Sequence, residues 1–256
     1  MCSCNRCNFS MKKNIYKSII ENLKTIFFAL IIALLIRSLI VQPFYIPSSS
    51  MEPTLLVGDR IFVIKYSYGY SKHSFPFSPN ISKKRFFYSE PKRGDLVVFK
   101  TPADNRTDYI KRLIGLPGDE IQFKKGEIFI NDKKISRELF DSESLVRCGK
   151  YEFKVNIFQE TLSNGLKHSA AYNQSGTIQN SKIYKVPKDH YFLMGDNRDC
   201  SKDSRFLEDV GYVNYVNLVG KAKLIFFSND TKKNSLFKFW KLKESFRLDR
   251  TFMIIK

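Results

Sequence analysis

From Thr25 to Ile36 the chain carries no charge and consists almost entirely of Leu, Ile, Phe and Ala. A segment of that kind has to leave water, and its length decides whether it enters protein or lipid. Twelve residues at ~1.5 Å each cover only ~18 Å, too little for the ~30 Å hydrocarbon layer of a bilayer. If the Arg37 side chain snorkels or faces protein, the segment runs from Thr25 to Ile46, 22 residues and ~33 Å, which matches. One transmembrane helix over 25–46 is therefore expected, with a tail over 1–24 and a folded domain over 47–256. Arg6, Lys12, Lys13, Lys17 and Lys24 precede the span against Glu21, and few cations follow it directly. By the positive-inside rule the tail should stay cytoplasmic and the domain should lie outside. A cleavable secretory signal would end on a small-x-small site where this chain has Gln42-Pro43-Phe44-Tyr45, so the anchor is expected to stay attached.

With 256 residues and 43% apolar side chains the chain can bury one substantial core. Lys and Arg outnumber Asp and Glu by 43 to 25, a net charge of +18, which attracts phosphate-rich surfaces. No helix-turn-helix, RNP aromatic signature or Cys/His finger accompanies that charge, which argues against nucleic acid and for anionic lipid. Two segments mix aromatic rings with cations and suit the membrane interface: Phe75 to Tyr88, with Lys83, Lys84 and Arg85, and Phe237 to Lys256, with Trp240. Cys2, Cys4 and Cys7 have the spacing of part of a metal site, but no second Cys or His pair completes it; neither metal nor other cofactor is expected. Cys148 and Cys200 fall in the domain placed outside, where disulfides form. Sequence does not supply the distance such a bond requires, and two free thiols are the expectation.

Beyond the anchor, short apolar runs of strand length dominate: Ile61 to Ile64, Leu96 to Phe99, Ile110 to Ile114, Glu127 to Ile130, Tyr191 to Met194 and Leu224 to Phe227. Leu116-Pro117-Gly118-Asp119 fits a type II turn, and Lys125-Gly126 separates two alternating runs as a hairpin does. The fold class expected is mainly β. From about 136 to 187 the chain is more polar and its pattern weak, which suggests an inserted β-rich cap.

Ser50 stands beside prolines just past the anchor, where a hydroxyl would meet peptide bonds close to the bilayer. A serine nucleophile needs a base, and neither a G-x-S-x-G elbow nor an H-E-x-x-H zinc site is present; His73, His168 and His190 sit in no recognisable triad setting. A lysine can replace histidine if burial removes its proton. Lys111 lies inside Tyr109-Ile110-Lys111-Arg112-Leu113-Ile114, where period two puts Tyr109, Lys111 and Leu113 on one face. An amine flanked by an aromatic ring and a leucine is where a neutral lysine can exist, although a strand lysine more often lays its stem over apolar neighbours at the surface.

Four segments then carry a resemblance: Ser50-Met51-x-Pro53-Thr54-Leu55; Arg93-Gly94-Asp95-Leu96-Val97-Val98-Phe99; Tyr109 to Asp119; and Gly195-Asp196-Asn197-Arg198-Asp199-x-Ser201-x-Asp203-Ser204-Arg205. In that order, behind an anchor, they resemble the bacterial type I signal peptidases. The resemblance implies a signal-peptidase-like β domain in which Ser50 attacks the scissile carbonyl and Lys111 takes its proton, through an acyl-enzyme. It implies an oxyanion hole of the Ser50 amide and the Ser48 hydroxyl, a bond from Ser201 to the lysine amine, and a structural ion pair of Asp203 with Arg205. Ser49 stands where the family often has glycine. Phe44, Ile46, Met51, Leu55, Ile61, Val98, Asp108, Tyr109 and Ile110 would form shallow pockets for small residues one and three positions before the cut. The implied partners are preprotein signal peptides and the lipid of a bacterial inner membrane, with the enzyme a monomer. Rivals with the same dyad are a mitochondrial inner-membrane presequence peptidase and a self-cleaving repressor, which would carry a DNA-binding domain in place of the anchor. A tethered basic binding protein is the non-enzymatic rival.

Overall fold

The computed structural model describes residues 4–75, 78–79, 84–173, 178–230 and 245–255, with side chains from Tyr16 onward. Cys2, Lys83, Trp240 and the tail from 237 to 244 lie outside the described residues, as do the side chains of Cys4 and Cys7.

The apolar segment forms helix α1 (Cys4–Leu39), whose stretch Tyr16–Leu39, 24 residues long, is apolar enough to cross a bilayer and is exposed except at its end, where Ser38 is buried. At ~1.5 Å per residue it spans ~36 Å. The expected helix over 25–46 is thus displaced towards the amino terminus. It closes before Pro43, which lacks the N–H that continues a helical ladder and pushes its predecessor towards extended backbone. Val41–Tyr45 becomes strand β1 instead. Where α1 meets the domain, Tyr70 donates to the Leu39 carbonyl at 2.8 Å and the Lys65 amide to that of Ile40 at 3.0 Å.

The chain after α1 is mainly β, as its short apolar runs predict. In chain order the strands are β1, β2 (Asp59–Ile64), β3 (Leu96–Lys100), β4 (Asp108–Gly115), β5 (Glu120–Lys124), β6 (Glu127–Ile130), β7 (Lys133–Lys134), β8 (Ser136–Cys148), β9 (Tyr151–Thr161), β10 (Lys167–Tyr172), β11 (Tyr184–Lys185), β12 (His190–Met194), β13 (Val213–Asn214), β14 (Leu218–Ser228) and β15 (Met253–Ile254). They pair antiparallel in three sheets: β1-β2-β14-β3-β4-β12-β13 with β15 on β14, then β11-β5-β6-β7, then β10-β9-β8.

Leu96 to Phe99 reads as an unbroken apolar run because both faces of β3 are covered. Leu96 and Val98 pack with Ile46, Met51, Leu55 and Ile61, while Val97 and Phe99 pack with Leu113, Tyr191 and Leu193. Gly118 has φ +89°, as a type II turn requires at its third residue, and Lys125 and Gly126 at +53° and +74° make the tight hairpin between β5 and β6. The weak pattern after 136 has a physical cause. β8 is exposed along most of its length, with Leu139, Phe140 and Leu145 outward, and its pairing with β9 shifts register twice, so no single period survives.

Candidate active site

Two loops build the site. The first connects β1 to β2 and carries Ser50; Met51 and Leu55 anchor it by inserting into the core beside Ile61 and Val98, and the Leu55 amide donates to the Met51 carbonyl at 2.9 Å. The second, from Gly195 to Arg205, follows β12 and clamps the first. The Asn197 amide donates to the Ser50 carbonyl at 3.1 Å, and its side-chain amide donates to the carbonyls of Ser49 at 3.2 Å and Arg147 at 2.9 Å. Gly195 is required by this closeness, since a Cβ there would collide with both the Ser201 hydroxyl and the Ser50 carbonyl.

Against this clamp β4 delivers Lys111. Its Nζ donates to Ser50 Oγ at 2.5 Å and lies 5.5 Å from the centroid of the Tyr109 ring. Only 4% of Lys111 and 8% of Ser50 is exposed. Burial lowers the pKa of the amine to about 8, against Asp203 and Asp196, which pull it up, and with Arg205, which pushes it down. Among the described residues Ser50 Oγ bonds this amine and lies 3.4 Å from Ser48 Oγ; no histidine bonds it.

The second loop is held by three carboxylate–guanidinium contacts. Arg112, next to Lys111 and on the opposite face of β4, binds Asp196 with both side chains fully buried, at 2.8 and 2.7 Å, and Thr54 donates to the same carboxylate at 2.5 Å. Asp203 receives Arg205 twice at 2.8 Å and the Gly195 amide at 2.9 Å. Arg198 reaches into the three-stranded sheet and binds both oxygens of Glu160 at 2.8 Å. Arg198, Glu160 and Arg112 are supports to which the sequence alone assigned no role. Arg112 and Arg198 sit inside the quoted motifs, but Glu160 sits in the patternless region and gave no signal.

Of the remaining expected residues, Phe44, Ile46, Ile61, Val98, Asp108, Tyr109 and Ile110 line a cleft of about 300 Å³ that also contains Ser48, Ser50 and Lys111. Tyr45, Pro47 and Thr107 join them unforeseen. Met51 and Leu55 do not line this cleft; they are buried beneath it, where they hold the serine loop. Ser201 Oγ is buried beside the Asp203 carboxylate, and the expected bond to the lysine amine is not made. Cys148 and Cys200 correct a further expectation: they form a disulfide, with Cα atoms 5.5 Å apart, that ties the end of β8 to the second loop.

Residues 19–227 match the family described as signal peptidase, peptidase S26. That match defines the class: a serine endopeptidase that processes signal peptides, carried here behind an apolar helix. The chain belongs to the signal peptidase family. It is 44% identical over 223 residues to the signal peptidase I of Rickettsia typhi, covering 83% of this chain and 81% of the relative. It is 45% identical over 216 residues to that of Rickettsia akari, covering 78% and 77%. A solved signal peptidase I from Enterococcus faecalis V583 is 26% identical, covering 52% of this chain and 97% of that one, at a TM-score of 0.31.

Proposed function

We propose that this enzyme cleaves preproteins through a Ser50/Lys111 dyad and an acyl-enzyme. The observation that carries the reading is the buried amine of Lys111, 2.5 Å from Ser50 Oγ. In its neutral form Lys111 accepts the hydroxyl proton as Ser50 attacks the scissile carbonyl, then returns it to the leaving amine and activates the deacylating water. The Ser50 amide and the Ser48 hydroxyl receive the oxyanion, where losing one donor costs on the order of 100-fold in rate. Asp203 and Arg205 fix the loop that presents Ser201.

The substrate enters as an extended strand. Among the described residues β1 pairs with β2 on one side alone, and Asp108 to Lys111 pair with β3 but with no strand opposite, so two free edges flank the cleft. A strand added there gains backbone hydrogen bonds, and its alternating side chains put the first and third residues before the cut into the cleft. The active domain faces the extracytoplasmic side of a bacterial inner membrane, with the tail cytoplasmic; the Cys148–Cys200 disulfide suits that oxidising side. Every group invoked comes from one chain, so a monomer suffices. The exposed rings of Phe86 and Phe87 rest on anionic lipid, whereas Arg85, expected to join them, is buried and donates to the Tyr68 and Leu218 carbonyls; the protein without its helix should accordingly bind anionic vesicles at low salt, and no binding in a flotation assay would overturn that placement.

Ser50→Ala and Lys111→Ala are each expected to abolish cleavage of a preprotein with a small-x-small site, measured by gel shift, while the melting transition survives. Activity retained in either would refute the dyad.

A further inference from the structure

A cavity of about 630 Å³ adjoins the catalytic cleft. The two share Phe44 and Asp108 and adjoin there, so that a stretch with two ends runs along them. One end is the Ser50–Lys111 pair; the other is the end of α1, where Arg37 and Ser38 line the wall. From Lys111 back to Asp108 the free edge of β4 offers three steps, ~10 Å of extended chain. A substrate strand lying on that edge therefore runs out of edge at about its fourth residue before the cut and passes into the second cavity. The direction fits, since the substrate's own apolar segment precedes the cut and comes from the bilayer that holds α1.

The wall of this cavity is cationic. Arg37, Lys72, Lys100 and Arg106 face Asp104 and Asp108. Both carboxylates are already engaged. Asp108 pairs with Lys100 at 2.9 Å, and Asp104 accepts from the Thr101 hydroxyl at 2.5 Å and the Arg106 amide at 2.9 Å. Arg37, Lys72 and Arg106 have no acidic partner among the described residues. His73 also lines the wall, buried, with its Nε2 lacking a partner.

We propose that this cavity is a second substrate subsite, which holds the polar stretch of the signal peptide from about the fourth to the seventh residue before the cut, favours acidic or carboxamide side chains there and rejects cationic ones. The proposal rests on the signal-peptide reading and adds to it a basis for discrimination upstream of the small-residue pockets.

The test uses the full-length enzyme in neutral detergent with three preproteins that differ only at the fifth and sixth residues before the cut: Asn-Asn, Asp-Asp or Lys-Lys. Lys-Lys is expected to lower kcat/KM about five-fold relative to Asn-Asn, with Asp-Asp at or above it, and the ordering should flatten as salt is raised. Lys72→Glu with Arg106→Glu should reverse the order, and the milder Lys72→Gln with Arg106→Gln should flatten it. Arg106 is exposed and Lys72 half-buried, and neither belongs to the hydrophobic core, so a melting curve of each variant checks that the fold is kept. Equal kcat/KM for the three substrates, or an ordering the charge variants leave unchanged, overturns the subsite. So does a defect of the variants that is the same for all substrates and appears only with anionic lipid, which would mark a headgroup site. Failure of the wild type to cleave even Asn-Asn, with Ser50→Ala as control, strikes the dyad reading instead.

Discussion

Among the described residues two lysines, Lys65 and Lys111, are taken out of water, and of these Lys111 faces a nucleophile. Burial lowers both Lys65 and Lys111 to about 8, but Lys65 bonds the His73 carbonyl at 3.5 Å whereas Lys111 bonds Ser50 Oγ. The rate should follow the neutral amine at position 111: kcat/KM rises with pH through about 8 and levels above it. Lys65→Met should leave that limb where it is, a result read from a pH–rate profile; a limb that moved would implicate the wrong lysine. The same burial has a stability consequence. An ordinary lysine holds its proton up to about 10.5 while this one releases it at about 8, so between those values the unfolded chain binds the extra proton. The cost is absent above the upper value, grows as pH falls through the window, and is complete below the lower one, on the order of 3 kcal/mol. Lys111→Met should therefore raise Tm at pH 7 and do so much less at pH 10.5. An equal rise at both pH values would mean that burial of charge is not what the lysine costs. Lys111 was singled out in sequence by the motifs around it, since alternation between Tyr109 and Leu113 alone leaves a surface lysine the commoner outcome. The missing bond at Ser201 was not legible, because a hydroxyl's partner depends on sub-ångström placement that no motif encodes.

At the level of elements, strands with a buried face announce themselves and exposed ones do not. β6 matches its expected bounds, and β2, β3, β4 and β12 differ by one or two residues, because each has at least one side fixed by the core. β14 is longer than its Leu224 to Phe227 signal, since Gly220 and Lys221 interrupt the apolar run. β8, β9 and β10 left little pattern, yet they matter to the site: Arg198 reaches Glu160 on β9, the Ala171 amide donates to the Asp196 carbonyl at 2.8 Å, and the disulfide runs from β8 to the second loop. The three-stranded sheet thus braces the loop that clamps the carbonyls of Ser49 and Ser50. The disulfide spans 52 residues of sequence, and closing a loop of that length restricts the unfolded chain by about 4 kcal/mol. Cys148→Ser with Cys200→Ser should lower Tm by roughly 10 °C, and reductant should do the same to the wild type in a melting experiment. If neither moves the transition, the brace is carried by the Arg198–Glu160 pair and the hydrogen bonds of Ala171 and Arg147 to the loop.

Across the whole molecule, the anchor supplies position and the β domain supplies chemistry, and the two are separable. α1 leaves Ile26, Phe27, Phe28, Leu30 and Leu34 exposed to whatever surrounds it, and among the described residues meets the domain at its last turn, where Ser38 is buried and Leu39 accepts from Tyr70. Removing residues 1–36, which leaves Arg37 and Ser38 in the wall of the second cavity, therefore takes away little that the domain's core depends on. What it removes is confinement to the surface where substrates are also anchored, which replaces encounter in three dimensions by encounter at a high local concentration. For a short soluble peptide spanning the cut, the shortened enzyme should keep kcat/KM within about two-fold, because the cleft, the dyad and both free strand edges are intact. For the same cut in a preprotein embedded in liposomes, the rate should fall by roughly 100-fold at equal enzyme concentration. Side-by-side progress curves on the two substrates measure the difference. A shortened enzyme equally slow on both would show that α1 shapes the active domain itself, and one equally fast on both would show that tethering contributes nothing.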